Sequence, residues 1–145
     1  MAQAAQNYKN HTRFFPPFHF VAAPILAFYF ANELRHLWQN PNRSTAFAAL
    51  VAFGILVATF SSRLMALKAQ DRVIRLEMHM RMRELLPADL AARIGEIRPA
   101  HLVALRFAGD QELPGLVRDV LDGRLATQKV IKQQIKEWKG DYLRV

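Results

Sequence analysis

The sequence predicts an all-α membrane protein. A transmembrane helical hairpin comes first, its second helix extends into the cytoplasm, and a small helical C-terminal domain follows. Three observations lead there. Phe14 to Asn32 carries no Lys, Arg, Asp or Glu, and neither does Ser44 to Ser62. Each stretch is about 19 residues, and a helix of that length reaches about 28 Å, which matches the hydrocarbon core of a bilayer. From Arg63 to Leu86 there is neither Pro nor Gly, so nothing ends the second helix before Pro87. The implied boundaries are 1–13 for an N-terminal cytoplasmic segment, 14–38 for the first transmembrane helix and 39–43 for an external turn. Residues 44–86 form the second transmembrane helix and its cytoplasmic continuation, and 87–145 the C-terminal domain.

Average composition hides this layout. The hydrophobic fraction is 52% and the mean hydropathy −0.01, because an apolar front is averaged with a charged back. The 145 residues suffice for one hairpin and one small domain. The net charge is +8, and the absence of Cys removes disulfides, thiolate nucleophiles and Cys-ligated metals.

The first apolar stretch is too long for a signal-peptide core, and Asn32-Glu33-Leu34 is not a small-x-small cleavage site, so it reads as a retained span. Lys9 and Arg13 precede it, Arg35 and Arg43 lie between the spans, and Arg63, Lys68, Arg72, Arg75, Arg81 and Arg83 follow the second. The basic excess flanks both termini, which places both in the cytoplasm. Asn40-Pro41-Asn42 reads as the turn, with Trp38 at the interface.

Within the first span, Pro16-Pro17 suits a helix start and Pro24 should bend the helix. Phe14, Phe15, Phe18, Phe20, Phe28, Tyr29 and Phe30 make it aromatic. Such rings serve as lipid-facing bulk, or as a surface for another membrane subunit or its lipid-soluble pigment or quinone. His19 is the one candidate cofactor residue, as an axial ligand to a haem or chlorophyll metal; its simpler reading is a polar interfacial side chain. No cofactor of the chain's own is predicted. The second span carries Ala46, Ala48, Ala49, Ala52, Gly54 and Ala58, small residues suited to close packing on the first span or on a partner helix.

At 100° per residue, Leu64, Leu67, Ile74, Met78, Met82 and Leu85 fall on one stripe of the long helix, and Val73, Leu76 and Met80 on a second. A helix lying on one core needs only one apolar stripe. Two imply two contacts, one of them with the chain's own C-terminal domain. Lys68, Arg72, Arg75, His79 and Arg83 run between the stripes and suit anionic headgroups or a protein partner. Met78, Met80 and Met82 resemble a copper-binding pattern, but on a helix Met80 points away from the other two.

In the C-terminal part, a helix should run from Pro99 through Phe107 and close at Gly109. Asp110 should cap a helix carrying Leu113, Leu116, Val117, Val120 and Leu121. Thr127 should cap the last helix, with Ile131, Ile135, Trp138 and Tyr142 on one face and Lys129, Lys132, Lys136 and Lys139 on a neighbouring one. That lysine face is a candidate contact for anionic lipid or an acidic partner, or a plain solvated face. No nucleic-acid partner is predicted. No phosphate loop, nucleophile elbow or metal-spaced His set occurs, so the chain is not expected to be an enzyme.

Five segments carry a resemblance. They are Gln6 to Phe20, Gln70 to Glu77, Arg83-Glu84-Leu85-Leu86-Pro87, Leu102 to Ala108, and Trp138 to Leu143. Together they are similar to a bacterial family of small two-span membrane proteins catalogued as a domain of unknown function. The resemblance implies the same architecture and a bacterial inner-membrane location, and supplies no activity. The function expected is that of a non-catalytic accessory or structural subunit of a larger integral-membrane complex, respiratory or photosynthetic. Its spans would dock in lipid and its tail would clamp a cytoplasmic surface. The alternative is a membrane-anchored regulator or adaptor binding anionic lipid or a soluble partner through its basic helix faces.

Overall fold

The computed structural model describes residues 5–11 and 14–142; Thr12, Arg13 and Leu143, used above, lie outside them. Every element among the described residues is helical apart from one isolated bridge between Ala108 and Trp138. The chain divides into two compact units, one of residues 14–68 and one joining 5–11 to 69–142.

In the first unit, a π-helix spans Pro17–Ala22, with Pro16 at its cap. The Ala23 N–H bonds to the Phe18 carbonyl, five residues back, and α1 (Ala23–Gln39) then begins with Pro24 in its first turn. Pro24 has no N–H to give, and the wide turn sits immediately before it. Where the sequence predicts a bend, the helix changes register from π to α just before Pro24. The Asn40 N–H closes α1 on the His36 carbonyl at 2.9 Å. Asn42 Oδ1 accepts the N–H groups of Ser44 (2.9 Å) and Thr45 (3.1 Å), capping the start of the next helix.

That helix, α2 (Arg43–Leu85), is 43 residues long. Within the first unit it pairs antiparallel with the segment before the turn. Phe30 meets Phe53 at 5.6 Å and Phe18 meets Phe60 at 5.5 Å. Ala49 and Ala52 are buried, as the small residues of this helix predicted. The large side chains are not. Phe20, Ile25, Phe28, Phe47, Leu50 and Leu64 are exposed, and so is Trp38. An 18-residue stretch of α2 has mean hydropathy 1.9 with only 11% buried. The helix is long and apolar enough to cross a membrane.

In the second unit, the distal part of α2 buries Ile74, Met78 and Met82, and Leu86 follows. They join a core that includes Leu102, Leu105, Phe107, Leu113, Val117 and Ile131. Around it lie α3 (Ala88–Ala91), a 3-10 turn at Ile94–Glu96, α4 (Pro99–Leu105), α5 (Leu113–Leu121) and α6 (Gln128–Gln134). Thr127 caps α6, its hydroxyl accepting the Val130 N–H at 3.3 Å. Gly123 takes φ +78 just beyond α5, where a side chain would be strained.

Three expectations about this unit need correction. Helix α4 ends at Leu105 rather than Phe107. The Ala108 N–H turns back to the Leu105 carbonyl at 3.0 Å, and Phe107 then accepts the Lys139 N–H at 2.8 Å. Asp110 caps nothing; the N-cap position of α5 is Glu112, and Asp110 pairs with Arg81 instead. Helix α6 stops at Gln134, so the last turn of the expected helix does not form. The Glu112 carboxylate takes the N–H groups of Lys136 (3.0 Å) and Glu137 (3.1 Å), the donors that a longer helix would have spent on its own carbonyls.

Candidate functional site

Because α2 turns one stripe inward, its opposite side is left bare. Ile74, Met78 and Met82 are buried, while Val73 is 54%, Leu76 63% and Met80 58% exposed. At 100° per residue the two sets face opposite ways, so the second unit covers only the distal part of one predicted stripe, whose Leu64 is exposed. Arg72, Val73, Arg75, Leu76 and His79 line a shallow groove of about 450 Å³ on the bare side. Lys68, Arg72, Arg75 and Arg83 are exposed along it. Burial, then the charges of Arg75 and Arg83, hold His79 below its ordinary value of 6.5. The strip's charge at neutral pH therefore comes from its arginines and Lys68. None of Arg72, Arg75, Glu77, Arg83 and Glu84 joins an ion pair among the described residues.

The second cluster is one that sequence reasoning missed. Residues 5–11 pack on the C-terminal tail within the same unit. His11 sits against Tyr8 (5.8 Å), Phe107 (5.8 Å) and Trp138 (5.7 Å). Its Nδ1–H donates to the Tyr8 carbonyl at 2.7 Å, and Lys132 Nζ donates to its Nε2 at 3.1 Å. Phe107 packs at a tilt on Trp138, 5.1 Å between centroids, and carries two cations, Arg106 at 4.5 Å and Lys132 at 5.5 Å. Arg106 also pairs with Asp141 at 3.0 Å. Gln6 and Asp141 exchange two hydrogen bonds. From α2, Arg81 reaches Asp110 at 2.5 Å and donates to the carbonyls of Arg106 (3.3 Å) and Ala108 (2.6 Å). Arg81 holds the Asp110 carboxyl below its ordinary range through that hydrogen bond.

Three of the five segments that carried the resemblance thus meet at one place, 6–11, 102–108 and 138–142. Several of their polar groups bond within the cluster, joined by Lys132 and Arg81, so it reads as a structural lock. Apolar periodicity gave no signal for it, because Gln6, His11 and Asp141 belong to no stripe.

The remaining candidates fall as follows. His19 lies within the π-helix, its Nδ1 3.1 Å from the Phe15 nitrogen and 3.0 Å from the Phe15 oxygen. Rings of Phe14 (5.3 Å) and Phe18 (5.1 Å) stand edge-on to it. Met80 faces away from Met78 and Met82, as helix geometry requires. The expected lysine face is cut short by the end of α6 at Gln134. Lys129 lies on α6, Lys132 is engaged with His11 and Phe107, and Lys136 and Lys139 lie beyond the helix end. Lys139 instead approaches Asp110 at 3.5 Å.

Residues 1–145 match the model of a family described as a family of unknown function, DUF6526. No curated protein and no solved structure matches the chain.

Proposed function

We propose that this chain, which belongs to DUF6526, is a non-catalytic interaction subunit held in a bacterial inner membrane by two spans. In this reading it joins a larger integral-membrane assembly and grips a protein surface with the bare side of its long helix. The observation that carries the reading is the exposed Val73, Leu76 and Met80 stripe, on a helix whose other stripe is already buried.

Membrane insertion is supported by where the apolar surface lies. A soluble core helix would bury its apolar window, and here 11% of it is buried. Two crossings are supported by connectivity. Residues 5–11 and 69–142 belong to one compact unit, so a chain that leaves it after residue 11 returns to it by residue 69. If α2 crosses the bilayer once, a second crossing is required before Arg43. The π-helix and α1, Pro17–Gln39, are the helical run available there. Their combined length, roughly 30 Å, suits a bilayer core. The excess of Lys and Arg after the second span favours a cytoplasmic tail.

The test is extraction in mild detergent followed by affinity purification. The proposal expects a membrane partner in fixed ratio with the chain, and release of bound protein from the double variant Met80→Glu with Arg83→Glu. Full retention of all bound protein in the double variant, with the fold intact, would contradict the role given to the bare stripe.

A further inference from the structure

We infer that the protein held by the bare stripe is a second copy of this chain, paired in parallel along α2. The inference rests on the preceding reading, because two copies inserted the same way in one membrane run their long helices in the same direction.

Spacing comes first. Ala69, Val73, Leu76, Met80 and Arg83 follow one another at intervals of four, three, four and three residues along α2. That is the alternation of a two-stranded coiled-coil seam, with Val73 and Met80 at a positions and Ala69, Leu76 and Arg83 at d positions. A β-branched residue at a with Leu at d is the combination that favours two strands over three or four. Val73 and Leu76 supply it, and all three large apolar members are more than half exposed. Ile74, Met78 and Met82, which hold the rest of the unit, lie on the opposite side of the helix, so the unit does not occlude the seam.

Charge supplies the choice of partner. The g positions that flank this seam are Arg72 and His79, and the e positions are Gln70, Glu77 and Glu84. Arg72 charges one flank positively beside a neutral His79, and two carboxylates charge the other. In a parallel pair, a g residue faces the e residue five positions later on the other strand. Arg72 then meets Glu77 of the second copy, and His79 meets its Glu84. An antiparallel pair would set g against g and e against e, bringing like charges together. Arg72, Glu77 and Glu84 are exposed and make no ion pair within the described chain. Arg75 and Lys68 stand further round the basic flank, and Arg83 ends the apolar run.

The chain has no cysteine, so single-Cys variants report proximity without background. The experiment oxidises membranes containing full-length Leu76→Cys. Leu76 is outside the core, so the fold survives the change. Positions on a parallel two-fold seam face their own copies, and a disulfide-linked dimer is expected several-fold above that from Asp71→Cys, an exposed position off the seam. Adding Glu77→Arg should lower the dimer several-fold, and adding Arg72→Glu to that variant should restore it by swapping the pair. Equal cross-linking at 71 and 76, or no recovery on the swap, would overturn the inference. Cross-linking the thiol at position 76 to a different protein would also overturn it, while leaving the proposed interaction role standing. A freely reactive thiol at position 76, with no bound protein recovered, would overturn both.

Discussion

Gln6 and Asp141 are joined in both directions, although 135 positions separate them. Gln6 Nε2 donates to the Asp141 carbonyl at 3.2 Å, and the Asp141 N–H donates to Gln6 Oε1 at 3.0 Å. The side-chain amide thereby pairs with the tail as a neighbouring strand would. This link, with His11 seated among Tyr8, Phe107 and Trp138, ties the two ends of the chain into one unit.

Gln6→Ala should therefore loosen the tail specifically. Two hydrogen bonds worth about 1 kcal/mol each at most are lost, for a total of about 1–2 kcal/mol. Limited proteolysis checks it: cleavage beyond residue 134 should accelerate while α2 stays intact. An unchanged cleavage pattern would mean that the amide pair holds nothing in place.

The core and the bare stripe should respond differently to the same substitution. Met82 is fully buried, and Met82→Ala should cost about 2–5 kcal/mol. Met80 is exposed, and Met80→Ala should change the stability of an isolated chain by less than about 0.5 kcal/mol. Denaturant titration in dilute detergent compares the two.

Much of this was legible in the residues, and the parts that were not have physical reasons. The two apolar stretches, the turn at Asn40 to Asn42, the uninterrupted long helix and the inward stripe of Ile74, Met78 and Met82 follow from charge, punctuation and periodicity. So does the bare second stripe, since an amphipathic helix with two apolar sides has more surface than one small domain can cover. The end of α6 was not legible. Nothing between Gln128 and Lys139 breaks a helix locally, and the break comes from Glu112, which claims the N–H groups of Lys136 and Glu137 from elsewhere in the chain. The docking of residues 5–11 was hidden for the same reason. It depends on long-range pairs whose members share no periodicity, and the π-helix before Pro24 likewise leaves no pattern in residue types.

Continuity of α2 is open to a backbone test. Leu76→Pro removes a helical N–H and places a ring against the preceding turn, at a cost of about 3 kcal/mol or more. The side chain it replaces is exposed, so lost core packing adds little. Protease sensitivity should appear around position 76, and bound protein should be lost with it.

Acid should weaken the second unit from near neutrality downward. His101 is buried, and burial holds it below its ordinary value of 6.5, opposed in part by the Ala126 carbonyl and aided by the neighbouring Arg98. Arg98 donates to His101 Nε2 at 2.7 Å and to the Ala126 carbonyl at 2.8 Å, an arrangement that suits a neutral ring. The unfolded chain takes up the proton first as pH falls. The contribution is therefore complete above about 6.5 and is lost as pH drops below it toward the folded value. His79 shifts in the same direction. Stability measured between about pH 7 and pH 5 should fall, and His101→Gln should flatten part of that slope.

We propose that the chain crosses the membrane twice and returns its N-terminal segment to the side of its tail. Single-Cys variants at Lys9, Asn40 and Lys136, all exposed, test it directly with a membrane-impermeant maleimide. In intact cells two crossings predict labelling at position 40 alone, with positions 9 and 136 reacting only after permeabilisation. Labelling that separates position 9 from position 136, one outside and one inside, would contradict it.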